Sequence, residues 1–338
     1  MAGNVRFPVP DIVRRRAESE GLTGRDWLAA LDDNLFELEH EWGLTIGPAM
    51  SGGSAAFVAE ATDAAGQTFV IKLPTPASLI GRHEVTALAI ARGKGYVRLI
   101  RQDAARHAML LERLGPSLDR HDLPYRQKID IMCATLLNAW IPVPAGGAYM
   151  TGADKANSLA MAILEKWQEL GRPCTQAVMD TALMYCRDRA AAWRPENAVF
   201  AHGDPHPANI LEVPETDGRQ WKFIDPDGLA IEPAYDLGVL LRAWHEGLTG
   251  RHAHDLARSY ARHLTDNFSY LLAEWLRAVD FDVLLQDELN HPSLWRLNER
   301  VCRSVDYPIV SIVHHLRSSE AHPGWLLVIA LLAALLGA

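Results

Sequence analysis

Asp204 and Asn209 lie five positions apart in Ala201-His202-Gly203-Asp204-Pro205-His206-Pro207-Ala208-Asn209, and Asp225 follows a short β-hairpin pattern. Two carboxylates and a side-chain amide in this order suit phosphoryl transfer. That chemistry needs a carboxylate to orient an attacking hydroxyl and hard oxygen ligands to hold magnesium against the phosphates. Either Asp204 or Asn209 alone reads as a turn residue. The H-G-D-x-x-x-x-N string, followed by a hairpin and the Ile224-Asp225 pair, supplies the mechanistic parts as a set. His202, Asp204 and His206 also form an H-x-D-x-H pattern, so a zinc hydrolase is the rival from another class. That rival leaves Asn209 unexplained, and its further ligands are not evident in the sequence.

Groups of this kind must be gripped by regular elements. Val199-Phe200-Ala201 is a short apolar run before the loop, and Ile210 to Val213 and Trp221 to Ile224 flank a turn at Glu215 to Arg219. The pattern predicts loop, hairpin and loop set among helices near 124–140, 155–170, 175–193, 234–246, 252–277 and 281–302. Upstream, residues 11–41 read as helical, with Leu28, Leu31, Leu35 and Leu38 on one face. Strands are predicted over 55–61 and 67–73, joined by Asp63-Ala64-Ala65-Gly66. In the second strand Phe69, Ile71 and Leu73 share one face and Val70 and Lys72 the other. A helix over 78–92 puts Glu84 on an apolar stripe with Ile80, Ala87, Leu88 and Ala91. An unpaired carboxylate is costly there, so Glu84 needs a partner. Strands over 96–102 and 107–113 follow, and Gly115-Pro116 breaks the pattern. The expected organisation is an N-terminal helical segment (1–41), a smaller β-sheet lobe that binds nucleotide (42–114) and a larger, mainly helical lobe (115–338), an α+β fold.

A formal net charge of -9 argues against a nucleic-acid backbone binder and is compatible with a cationic ligand. The four cysteines form no C-x-x-C pair, which argues against a zinc ribbon. Met1 to Pro10 carries no long apolar run, so the expectation is a cytoplasmic chain without a secretory signal. Trp325 to Ala338 is an uncharged run of 14 residues. It is short of the roughly 20 that span a bilayer, so a buried terminal helix is expected rather than a membrane contact. The sequence carries no signal of oligomeric state.

His202-Gly203-Asp204 with Asn209 resembles the catalytic loop of the aminoglycoside phosphotransferase and choline kinase group, distant relatives of protein kinases. Asp225-Pro226-Asp227-Gly228-Leu229 and Glu232-Pro233-Ala234-Tyr235-Asp236-Leu237-Gly238 resemble the aminoglycoside/hydroxyurea-resistance kinases, whose best-known members are streptomycin 6-kinases. The resemblance extends over roughly residues 42 to 316. It implies a two-lobed, protein-kinase-like fold that uses ATP and Mg2+. It also implies Asp204 as catalytic base, Asn209 and Asp225 as magnesium ligands, and Lys72 as the group that reaches the α- and β-phosphates. Glu84 would be the partner of Lys72. Asp236 would support the catalytic loop, although it also reads as a helix N-cap. His202 is expected to be structural. Ser51-Gly52-Gly53-Ser54 precedes the Lys72 strand, where glycine N–H groups can form an anion nest and Ser54 can add a hydroxyl. A Gly-Gly pair also reads as a plain turn, and its spacing departs from G-x-G-x-x-G. Adenine is expected at the connector Glu112 to Gly115.

Asp225-Pro226-Asp227-Gly228 stands where protein kinases have D-F-G, and no activation loop is recognisable after it. A small-molecule acceptor is therefore expected rather than a protein. The resemblance implies an aminoglycoside such as streptomycin, with hydroxyurea, choline and homoserine as alternatives. Streptomycin carries guanidinium groups, which pair with carboxylates. Asp227, Glu232, Glu246 and Asp154 are candidates for that pairing, each of which also reads as a turn or helix-surface charge. A nucleotide-binding pseudokinase would lack the base or a metal ligand, and neither is missing.

Overall fold

The computed structural model describes residues 6–242 except 52, 54, 80–82, 173–175 and 219. Gly52, Ser54, Glu246, the helices expected beyond residue 242 and the run Trp325–Ala338 lie outside the described residues. The fold is α+β and divides into two compact units. Among the described residues, the first comprises 6–117 together with Ile210–Gly228; the second comprises Leu118–Asn209 and 229–242.

The first unit opens with α1 (Asp11–Ser19) and α2 (Leu22–Trp42), within the span read as helical from the sequence. Gly21 breaks it with φ 73. Gly24 then lets the two helices approach: a Cβ there would lie 1.8 Å from the Ala17 carbonyl oxygen. Leu31, Leu35 and Leu38 of α2 are fully buried, each contributing roughly 2 kcal/mol by the usual apolar transfer. They pack on the sheet side chains Phe57, Phe69, Ile71 and Leu73.

That sheet is antiparallel, with β1 (Leu44–Ala49), β2 (Ala56–Asp63), β3 (Thr68–Pro74), β4 (Leu99–Asp103) and β5 (Ala108–Glu112) in the order β1-β2-β3-β5-β4. Lys72 on β3 sits opposite Val58 of β2 and Met109 of β5. The helix expected over 78–92 is shorter: α3 runs Glu84–Ala91 and Pro76–Leu79 is a 3-10 turn. The Ser78 hydroxyl donates to Thr75 O at 2.6 Å, a side-chain bond that competes with continued helix. The hairpin strands Ile210–Glu212 and Trp221–Phe223 join this unit through backbone bonds. Val97 N donates to Phe223 O at 2.8 Å, Phe223 N to Gly95 O at 2.9 Å and Gly115 N to Glu212 O at 2.8 Å.

The second unit contains α4 (Tyr125–Ala139), α5 (Gly152–Glu169), α6 (Gln176–Ala192) and α7 (Pro233–Arg242). Ala156, Leu159, Ile163 and Trp167 of α5 pack with Met179, Ala182 and Cys186 of α6 around Leu229, Ile231 and Val239. A small antiparallel sheet, absent from the sequence expectation as a sheet, aligns Leu229–Ile231, Val199–Ala201 and Ile141–Pro142. No helix among the described residues is long and apolar enough to cross a membrane.

Candidate active site

In the first unit, β3 and α3 bring Lys72 and Glu84 together. Lys72 is 6 % exposed, and its Nζ donates to Glu84 Oε1 at 2.7 Å and Oε2 at 2.8 Å. Glu84 heads the first turn of α3, where the helix dipole favours a carboxylate. The same Nζ donates to Asp225 Oδ1 at 2.6 Å. Burial alone would lower the Lys72 pKa, but the Asp225 and Glu84 carboxylates outweigh it and hold the ammonium above the usual lysine range. Asp225 follows the hairpin with φ 57, a left-handed conformation that is uncommon outside glycine and collects at functional sites. Its side chain is 38 % exposed against 10 % for Glu84, so Asp225 is the carboxylate of this pair open to a ligand. His83 N donates to Asp227 O at 2.8 Å and ties the start of α3 to the segment after Asp225.

The connector beyond β5 is braced by side chains. Glu112 Oε1 accepts from Arg98 N at 2.7 Å and from Lys222 Nζ at 2.5 Å. Gly115 runs close to the hairpin, where a Cβ would meet Glu212 O at 3.1 Å. Gly53 is exposed in the turn between β1 and β2.

In the second unit, Asp236 organises the H-G-D loop. It is fully buried in the first turn of α7. Its Oδ2 accepts from His202 N at 3.0 Å and from Trp140 Nε1 at 2.9 Å, and its Oδ1 accepts from Gly203 N at 2.8 Å. Desolvation pushes its pKa up to about 6; the three donors act in the other direction. Gly203 has φ 92, a conformation that glycine adopts without a Cβ penalty. His202 is fully buried and accepts from Asp204 N through Nδ1 at 3.1 Å, a structural arrangement. Asn209 Nδ2 donates to Asp204 O at 3.1 Å. Its amide nitrogen is thus engaged within the loop, and Oδ1 is the atom suited to a cation. Asn209 Oδ1 and the Asp225 carboxylate are hard oxygen donors, the chemistry that suits magnesium.

Two expected substrate carboxylates are engaged elsewhere, and the rival zinc reading gains no support. Glu232, expected as a substrate carboxylate, is 2 % exposed, and its Oε1 accepts from Arg189 Nη2 at 2.6 Å. It serves an internal ion pair instead. Asp154 closes a capping box with Thr151 at the start of α5, and these bonds lower its pKa. The H-x-D-x-H string does not assemble a zinc site: His202 Nδ1 and His206 Nδ1 both accept backbone N–H groups. Among the described residues no group of three His, Cys, Asp or Glu side chains is arranged to hold a metal ion. Trp140 and Arg189 were not anticipated. A buried indole N–H needs a partner, which is the one signal Trp140 offered.

Residues 42–265 match the family described as aminoglycoside/hydroxyurea antibiotic resistance kinase. The chain is 28% identical over 233 residues to a streptomycin 6-kinase of Streptomyces glaucescens, covering 69% of this chain and 73% of that protein. It is also 28% identical over 248 residues to a hydroxyurea phosphotransferase of Kitasatospora aureofaciens, covering 71% and 69%. Among solved structures, aminoglycoside phosphotransferase APH(3'')-Id from Streptomyces rimosus, in complex with ADP and streptomycin, aligns at TM-score 0.45 and 17% identity over 70% of this chain and 91% of that one. With the family match spanning well over half of its length, this chain belongs to the aminoglycoside/hydroxyurea antibiotic resistance kinases and is a phosphotransferase.

Proposed function

We propose that this kinase transfers the γ-phosphoryl group of ATP to a hydroxyl of a cationic aminoglycoside of the streptomycin type, acting in the cytoplasm where ATP is available. The observation that carries this reading is the Lys72 ammonium held by Glu84 and Asp225, a fixed cation beside an accessible carboxylate. Membership of the family supports the acceptor class, as do the streptomycin 6-kinases among its relatives.

In this reading Asp204 accepts the proton of the acceptor hydroxyl as its oxygen bonds to the γ-phosphorus and the bond to the leaving ADP oxygen breaks. Asp236 holds the loop that carries Asp204 through the His202 and Gly203 amides. Lys72 neutralises charge on the α- and β-phosphates. Asn209 and Asp225 would hold Mg2+, which supplies charge neutralisation on the phosphates. Gly52, Gly53 and Ser54 serve the phosphate side, and the connector Glu112 to Gly115 receives adenine through its backbone. Among the described residues, Asp227 is the candidate carboxylate that remains for a cationic group of the acceptor. No covalent phospho-enzyme is required, and rate acceleration comes from positioning and charge stabilisation.

The equal identity to a hydroxyurea phosphotransferase favours hydroxyurea as the second acceptor to examine. The test is ADP formation from Mg-ATP across streptomycin, other aminoglycosides, hydroxyurea, choline and homoserine, with mass detection of the phosphorylated product. Streptomycin phosphorylation that is abolished by Asp204→Ala is the expected result. Turnover with no acceptor of the panel overturns the acceptor assignment, and wild-type activity of Asp204→Ala overturns the role of the base.

A further inference from the structure

His206 sits between two prolines, Pro205 and Pro207, whose rings fix their own φ and restrict the residue before them. Its backbone is pinned on both sides: His206 N donates to Asp204 O at 3.0 Å, and Asn209 N donates to His206 O at 2.8 Å. The imidazole therefore projects from a stiff turn. Its Nδ1 accepts from Ala208 N at 3.3 Å, which assigns the hydrogen of the neutral ring to Nε2. That Nε2 lies 3.5 Å from Asp204 Oδ2. The separation exceeds a formed hydrogen bond, and catalytic contacts in unliganded enzymes are often this long and tighten in the substrate complex. Both side chains are about a third exposed, at 30% and 35%, so the contact is reachable by an acceptor.

We propose that His206 is a positioning residue for Asp204. Its Nε2–H engages Oδ2 once acceptor and nucleotide are bound and turns the other carboxylate oxygen toward the hydroxyl proton. The inference rests on the reading of Asp204 as the base. No proton is transferred to or from His206: the hydroxyl proton ends on Asp204, and the imidazole keeps its Nε2 hydrogen throughout. The role differs from that of a turn residue, which would need only the bond from Ala208 N to Nδ1.

Three variants separate the two roles. Asn in place of His206 keeps an acceptor near the Nδ1 position but is too short to reach Asp204. Gln places an amide donor near the Nε2 position. Phe removes both. Steady-state ADP release is measured with streptomycin and, separately, with water as the only acceptor, alongside melting temperature and KM for ATP. His206→Asn and His206→Phe are expected to lose about tenfold in kcat, the worth of one positioned hydrogen bond, with KM for ATP unchanged. His206→Gln is expected to recover at least a third of the wild-type kcat. The reverse order, with Asn near wild type and Gln impaired, overturns the proposal and makes His206 a turn residue. Asp204→Ala is run in parallel. If it is inactive while all three His206 variants match wild type, the His206 inference alone falls; if it is fully active, the base reading falls with it.

Discussion

Lys72 Nζ is nearer to Asp225 Oδ1, at 2.6 Å, than to either oxygen of Glu84, although Lys72 and Asp225 are 153 residues apart. The lysine is thus clamped between a buried carboxylate and a more exposed one. Removing the lysine should separate stability from activity. Lys72→Met leaves the Glu84 carboxylate buried without its ammonium, which costs about 3–5 kcal/mol in comparable pairs. The double variant Lys72→Met/Glu84→Gln should recover most of the melting temperature and none of the kcat, as read by calorimetry and ADP release. Recovery of activity in the double variant would refute a direct role of Lys72 on the phosphates.

The pKa of Asp236, raised to about 6 against an ordinary 3.8, sets a pH dependence of definite sign. The folded state favours the protonated acid, so this group's contribution to stability is present below about pH 4 and is lost as pH rises through about 6. Two pH units correspond to roughly 3 kcal/mol. The ionised form, however, is the one that accepts three N–H bonds and holds the loop. From pH 4.5 to about 6.5 the stability of wild type relative to Asp236→Leu should fall with pH in denaturant titrations and then level off, while wild-type kcat should rise through about pH 6. Lys72 stays charged across this window and contributes no transition to it. A stability difference flat in pH would exclude Asp236 as the titrating group.

The buried pair Arg189–Glu232, with side chains 6% and 3% exposed, predicts strong coupling. Arg189→Met and Glu232→Gln should each destabilise by about 3–5 kcal/mol, and the double variant should lose much less than their sum. KM for the acceptor should not change in any variant that remains folded at the assay temperature. A rise in KM for Glu232→Gln without loss of stability would return Glu232 to the acceptor site.

Asp154→Ala opens the capping box at the start of α5 and should cost about 1 kcal/mol of stability. Thr151→Ala should cost about the same, since both break one reciprocal cap. Neither should alter KM for the acceptor, measured by initial rates. A selective effect of Asp154→Ala on that KM would assign it to substrate binding.

The loop residues proposed to carry chemistry stand out in the sequence because their spacing is local. Asp204, Asn209 and Asp225 announce themselves by type and spacing, and Glu84 by its place on an apolar helix face. Lys72 was legible as a strand residue, and its bond to Glu84 closes the gap that the apolar face implied. What was not legible depends on long-range pairing or on very short elements. The Arg189–Glu232 pair joins residues 43 apart, and nothing near Glu232 distinguishes it from a solvated carboxylate. Strands of two or three residues, such as Ile141–Pro142 and Leu229–Ile231, are too short to show a period. The segment read as helical over 11–41 is two helices because Gly21 turns the chain, a break that the leucine pattern does not mark.

The division of the chain has a consequence for how such an enzyme can be altered. Because Ile210–Gly228 belongs with the residues up to Ser117, the polypeptide passes from one unit to the other after Ser117, after Asn209 and after Gly228. No single cut of the gene yields either unit whole. A crossover between two related genes anywhere from residue 118 to 209 inherits Lys72 from one parent and Asp225 from the other. Recombinants would therefore retain the clamp on the lysine only when both parents encode the hairpin compatibly, and shuffling of the two units as cassettes requires moving a small internal piece along with the larger one.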